Sequence, residues 1–137
     1  MNPEPTGALP AGSPARKRTV FVIEDHPLMR RSIIEAIRRE PDLAVCGQAE
    51  DAPEPTVIMA ARPDVVLTDI QLKSSNGLEL IRQLRSRLPD LPIVATTMFE
   101  VRRTERLARE AGASGFIGKD EGPARMISII REVLNKG

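Results

Sequence analysis

From Thr19 onward, short runs of aliphatic and β-branched residues alternate with stretches whose apolar positions recur every three or four residues. The runs are TVFVIED, LAVCGQ, DVVLTDI, PIVATTM and GFIGK. They are almost continuously apolar, which predicts five strands covered on both faces, as in a parallel sheet. Between them Met29, Ile33 and Ile37 share one helical face, Ile81, Leu84 and Leu88 a second, and Met126, Ile130 and Val133 a third. Pro53 and Pro55 fit only at or before a first helical turn, so the second helix should start near Glu54 to Thr56 and stop before Pro63. Strand-helix alternation at this length predicts an open α/β sandwich with right-handed crossovers, because a closed barrel needs nearly twice the residues.

Residues 1–18 show no such period. They are rich in Pro, Gly, Ala and Ser, too poor in apolar surface to offset the entropy of ordering, and are expected to form a disordered tail ahead of one domain at 19–137. The closing Arg16-Lys17-Arg18 reads as a solvated charge run. Twenty Lys+Arg against nineteen Asp+Glu give a net charge of +1, so there is no basic field to hold phosphates, and direct binding of nucleic acid is not expected. Prolines and glycines interrupt the N-terminus where a secretory signal would need an apolar segment, and no apolar run reaches bilayer-spanning length. A soluble, cytoplasmic chain without a membrane partner is the expectation. Cys46, the single cysteine, lies in LAVCG and reads as a small buried hydrophobe.

Chemistry enters with VVLTDIQL, an apolar run that ends on a carboxylate, Asp69. An unpartnered buried carboxylate is costly, so the fold must open this strand end to water or surround it with cations and donors. Open parallel sheets bind ligands beyond the carboxyl ends of their strands. That rule collects Glu24 and Asp25 after the first strand, Asp69 after the third, Thr97 after the fourth and Lys119 after the fifth. Clustered carboxylates suit a hard divalent cation, and Mg²⁺, which binds phosphate oxygens, fits best. Asp69 would then lie on the rim as a nucleophile for phosphorus, with Thr97 donating to the phosphoryl oxygen. Taken singly, each residue has a plainer reading: the acids as helix caps, Thr97 as a strand residue, Lys119 as a solvated cation. Their joint occurrence at four strand ends favours the site. His26, the only histidine, is better explained by exposure at a first helical turn than by metal binding.

The motifs VFVIEDHPLMRRSI, PDVVLTDIQL followed by NGLELIRQL, LPIVATTM and AGASGFIGKD resemble the receiver domain of two-component response regulators. DHPLMR and Lys119-Asp120 look most like receivers that precede a helix-turn-helix output domain. The resemblance implies a flavodoxin-like, doubly wound sheet of strand order 2-1-3-4-5 with five helices on its two faces. It implies that Asp69 is the phosphoacceptor, charged by a sensor histidine kinase or a histidine phosphotransfer protein of a phosphorelay. Glu24, Asp25, Asp69 and the main-chain carbonyl of Gln71 would hold Mg²⁺. Thr97 would be the switch hydroxyl, Phe116 the switch aromatic and Lys119 the cation facing the phosphoryl group. The surface of the fourth helix, fifth strand and fifth helix would then change its partners, with a homodimer as one form of output. Such a chain accepts phosphate stoichiometrically, catalysing its own phosphorylation and dephosphorylation, and is not an enzyme in the usual sense. Only Asn135-Lys136-Gly137 follow the last helical pattern, so output is expected through an unidentified protein target unless the chain is a fragment.

The sequence departs from the family pattern at several points. Lys73 stands where many receivers have proline, which loosens the loop after Asp69 and adds a cation. Asp120 follows Lys119 where proline is common, and no proline-type cis bond is expected there. Gly77 is retained, with Asn76 before it supporting a turn. Phe99, beside the phosphoryl position, should slow hydrolysis by excluding water, while Gln71 should oppose it by orienting water. Two other classes compete. A haloacid-dehalogenase-type phosphatase also uses a strand-end Asp with Mg²⁺, but wants a second acid where Gln71 stands. A module of the same fold that never accepts phosphate would have no use for the full acid set.

Overall fold

The computed structural model describes residues 16–98 and 101–136. Five strands, β1 (Arg18–Ile23), β2 (Leu43–Ala49), β3 (Val65–Asp69), β4 (Ile93–Thr97) and β5 (Gly115–Gly118), form one sheet of order β2-β1-β3-β4-β5. All four pairings are parallel. The connecting helices are α1 (Pro27–Arg38), α2 (Pro55–Ala61), α3 (Gly77–Arg87), α4 (Val101–Ala111) and α5 (Pro123–Lys136), with a short 3₁₀ turn at Lys119–Glu121. The expected architecture and strand order are those observed, and α2 lies within its expected limits.

Period-two alternation sends neighbouring strand residues to opposite faces. Val20, Val22, Val65 and Leu67 pack with Ile33, Ile34 and Ile37 of α1 and Met126, Ile130 and Val133 of α5. Phe21, Ile23 and Val66 pack on the other face with Ile58, Ile81, Leu84 and Ala108 of α2, α3 and α4. Each fully buried aliphatic side chain stabilises this two-layer core by about 1.5–3 kcal/mol.

β2 differs from the central strands. It lies at the sheet edge, so most of it is half-buried and Cys46 is only half-buried rather than core. The β1–β2 register slips there, pairing Val20 with Val45 and Phe21 with Gly47. Gly47 is required: a Cβ at that position would lie 2.5 Å from the Phe21 ring.

The ordered sheet also begins before the expected boundary. β1 starts at Arg18, and Arg16 reaches Asp64 with two guanidinium nitrogens at 2.8 and 2.9 Å, so that part of the charge run is paired. On the far side, Arg131 of α5 holds Glu40 and Asp42 of the α1–β2 connection. Arg85 donates to the carbonyls of Gly112, Leu88 and Pro89, closing the ends of α3 and α4. Among the described residues no helix is long and apolar enough to cross a membrane.

The order in which strands are added reverses between β1 and β3, since β2 lies on one side of β1 and β3 on the other. A crevice forms at such a switch point beyond the strands' carboxyl ends. It receives the ends of β1 and β3, flanked by β4 and β5.

Candidate functional site

Asp69 closes β3 and is buried, with only 2% of its surface accessible. Of the two solutions open to this strand end, exposure to water or surrounding cations and donors, the fold takes the second. Asp69 Oδ1 accepts from the Gln71 main-chain N–H at 2.8 Å, and Oδ2 lies 2.5 Å from Lys119 Nζ. Lys119 opens the 3₁₀ turn after β5 and is itself buried, so the solvated reading of this lysine fails. Its ammonium also donates to Glu24 Oε2 at 2.9 Å.

Glu24 follows β1 and is 1% exposed. Its Oε2 accepts additionally from the His26 N–H at 3.0 Å. Its Oε1 lies 2.8 Å from Lys119 Nζ but has no hydrogen bond of suitable direction. Neither acid caps α1: the N-cap is His26, exposed, whose Nδ1 accepts from Met29 N–H at 3.4 Å. The capping alternative for Glu24 and Asp25 is thereby removed.

Glu24, Asp25 and Asp69 each offer an oxygen within 4.8 Å of the others. Burial is the largest influence on Glu24 and Asp69 and holds both carboxyls above their usual range, against the lowering effect of Lys119. Burial would push Lys119 down, but the hydrogen bonds and charges of Asp69 and Glu24 outweigh it and the ammonium is favoured. Among the described residues, one ammonium is thus shared by two of the three clustered acids. An all-oxygen set with excess negative charge and an oxygen lacking a directed donor suits a hard divalent cation.

The remaining expected residues fall around this cluster. Thr97 ends β4, fully buried, and pairs in register with Gly118, the residue before Lys119. Phe116 is buried, paired with Ala95 and packed in the α2–α3–α4 layer. Gln71 is exposed and bridges to Asn76. Phe99 lies outside the described residues.

The loop after Asp69, which lacks a proline at Lys73, is braced by other means. Gly77 N–H donates to the Ile70 carbonyl at 3.1 Å, and Asn76 caps α3 through its Oδ1. The Ser75 hydroxyl bonds Asp51 and accepts from Ala52 N–H at 3.1 Å, tying this loop to the end of β2. Gly77 has a second reason to be glycine: a Cβ there would lie 2.2 Å from the carbonyl oxygen of Asp69.

Sequence reasoning missed Asp51, Ser75 and Arg30. Asp51 and Ser75 are 24 residues apart, and nothing local marks them as partners. Arg30 lay in plain view within DHPLMR, but its role depends on a bond to the Glu24 carbonyl that only the folded turn creates.

A family model described as the response regulator receiver domain matches residues 20–131. The DNA-binding transcriptional activator DevR/DosR of Mycobacterium tuberculosis is 36% identical over 115 residues, which cover 83% of this chain and 53% of that protein. The response regulator GacA of Pseudomonas viridiflava is 36% identical over 116 residues, 84% of this chain and 54% of its own. The chain thus spans about half the length of these curated relatives. Among solved structures, a LuxR-family response regulator from Aurantimonas superposes with a TM-score of 0.82 at 30% identity, covering 88% of this chain and 86% of that one. The receiver domain of the putative regulator NarL of Mycobacterium tuberculosis gives 0.79 at 26% identity, covering 88% and 98%. A buried acid–lysine cluster at the switch point of a 2-1-3-4-5 sheet and a family match over most of the chain lead to one assignment: this chain belongs to the receiver domains of two-component response regulators.

Proposed function

We propose that Asp69 accepts a phosphoryl group from a phosphohistidine, on a sensor histidine kinase or a histidine phosphotransfer protein. A carboxylate oxygen of Asp69 bonds to phosphorus, the P–N bond breaks, and the imidazole nitrogen keeps the electron pair. Asp25, Asp69 and the Gln71 carbonyl would hold Mg²⁺, with Glu24 beside them. The bound ion supplies positive charge against the carboxylates and phosphoryl oxygens.

The chain's own residues do the rest. Lys119, now on Asp69 and Glu24, turns its ammonium to the incoming phosphoryl oxygens. The Thr97 hydroxyl donates to another of them, and Phe116 follows into the space behind it. Up to two added charges with three acceptor oxygens are enough to bias the β4–α4 connection between two arrangements. The α4–β5–α5 surface then exchanges partners, through a homodimer or a downstream protein. Gln71 and Phe99 set how fast water removes the phosphoryl group. A cytoplasmic setting follows from this reading. DNA binding, the activity of DevR/DosR, is not carried over, because the match reaches only about half of that protein.

The observation that supports this reading is one buried ammonium shared between Asp69 and Glu24, with Asp25 close by. Incubation with acetyl phosphate or phosphoramidate and Mg²⁺, followed by intact mass, tests it. One phosphoryl adduct per chain, absent in Asp69→Asn, is expected. Multiple turnover of a phosphoester would favour a phosphatase instead, and an unlabelled wild-type chain would favour an interaction module.

A further inference from the structure

Resting on the metal reading above, we infer that Arg30 is the positioning residue of the acidic pair, fixing the peptide that joins Glu24 to Asp25. The β1 pairings with β2 and β3 both end at Ile23. The Glu24 N–H still reaches the Ala49 carbonyl at 3.0 Å, but the Glu24 carbonyl lies past the ladder and needs another donor. Arg30 supplies it: Nη1 donates to that oxygen at 2.9 Å. The same guanidinium donates through Nε to Gln48 Oε1 at 3.2 Å on β2, while the Arg30 N–H donates to the His26 carbonyl at 2.9 Å.

The carbonyl held by Arg30 belongs to a planar unit that ends at the Cα of Asp25. Fixing its rotation sets the direction of the Cα–Cβ bonds on both sides, Glu24 before it and Asp25 after it. Two bonds in different directions from one rigid fork leave that plane little freedom, whereas a lysine could make only one point contact. The arrangement is uneconomical on charge alone, because a guanidinium held on the Glu24 main-chain carbonyl adds positive charge near the acidic pair and opposes a second cation. Positioning and charge therefore predict opposite signs when Arg30 is removed, and this makes the inference decidable.

Mg²⁺ is titrated into the full chain, followed by calorimetry and amide NMR, for wild type, Arg30→Lys, Arg30→Met and Gln48→Leu. Arg30→Lys and Arg30→Met are each expected to bind Mg²⁺ about tenfold more weakly, as for loss of an outer-shell partner. Gln48→Leu, at an exposed position, keeps the charge and frees one arm of the fork; it should weaken binding by about twofold to threefold. The rise in melting temperature at saturating Mg²⁺ should shrink in the same order. Unchanged or tighter binding by Arg30→Met overturns the inference, as does a lowered melting temperature with intact affinity. Should both Arg30 variants fail to fold, unchanged affinity in Gln48→Leu overturns it. A wild-type chain that binds no Mg²⁺ removes the metal reading and this inference together, whereas wild-type binding with unaffected variants removes the inference alone.

Discussion

Asp64 and Asp69 stand at opposite ends of one strand, and the fold treats them in opposite ways. Asp64, just before β3, accepts from Arg16 twice, from the Thr19 N–H at 2.8 Å and from the Thr19 hydroxyl at 3.2 Å. The hydrogen bonds of Arg16 hold its carboxyl far below the usual range. Asp69 accepts from one main-chain N–H and from an ammonium it must share, and burial holds its carboxyl above the usual range. Both oxygens of Asp64 have donors, whereas the acids at the carboxyl end share one ammonium and are left with excess negative charge. A stabilising carboxylate is one whose donors are all in place; a reactive one retains an unmet demand for positive charge, available to a metal or a phosphoryl donor.

The strongest way to break the carboxyl end is through its backbone. Gly77→Ala puts a methyl group against the Asp69 carbonyl and should cost about 3 kcal/mol, read by denaturant unfolding, together with loss of phosphoryl labelling. A stable, labelled variant would show that the close approach is not needed.

The same change made at both ends of β3 sharpens the contrast. Asp64→Asn should destabilise by about 1 kcal/mol, because the amide oxygen still accepts from the Thr19 N–H but only as a neutral acceptor, and the amide nitrogen cannot accept from Arg16, whose side is exposed and screened. A lowered carboxyl contributes stability above its unfolded value and loses it as pH falls towards its folded one. Between about pH 5 and pH 2 the stability of Asp64→Asn should therefore fall less steeply than that of wild type. Asp69→Asn should do the reverse and stabilise by about 1 kcal/mol at neutral pH, because burial disfavours the charge it removes and Lys119 keeps Glu24. Matching signs at the two positions, measured by chemical denaturation, would dissolve the comparison.

The smallest effect is expected in the loop that lacks a proline. Ser75→Ala removes the tie to Asp51 and Ala52. Amide exchange across residues 71–76 should quicken while the unfolding midpoint stays near that of wild type. Unaltered exchange would leave the bracing to Gly77 and Asn76.

Much of this molecule was legible from local pattern. Continuous apolar runs marked the strands, and the spacing of Ile33 and Ile37, Ile81 and Leu84, and Ile130 and Val133 marked the buried faces of α1, α3 and α5. The burial of Cys46 was misjudged because a run of side chains does not say whether its strand lies at an edge. Whether Asp69 meets water or is surrounded by donors was left open for a related reason: the lysine that covers it is 50 residues away in sequence.

By itself the sequence determined which segments are strands and helices, and that acids, a hydroxyl and an amine follow four of the strands. Periodicity and strand-end position are properties of neighbouring residues, so they are written into the chain. Only the tertiary structure decided that Lys119 is shared between Glu24 and Asp69, that Arg30 holds the Glu24 carbonyl, that Gly77 meets Asp69, and that Arg16 closes on Asp64. Each of these depends on angstrom-scale distances between segments brought together by burial, and hydrogen-bond and charge energies change steeply over such distances while sequence spacing does not record them.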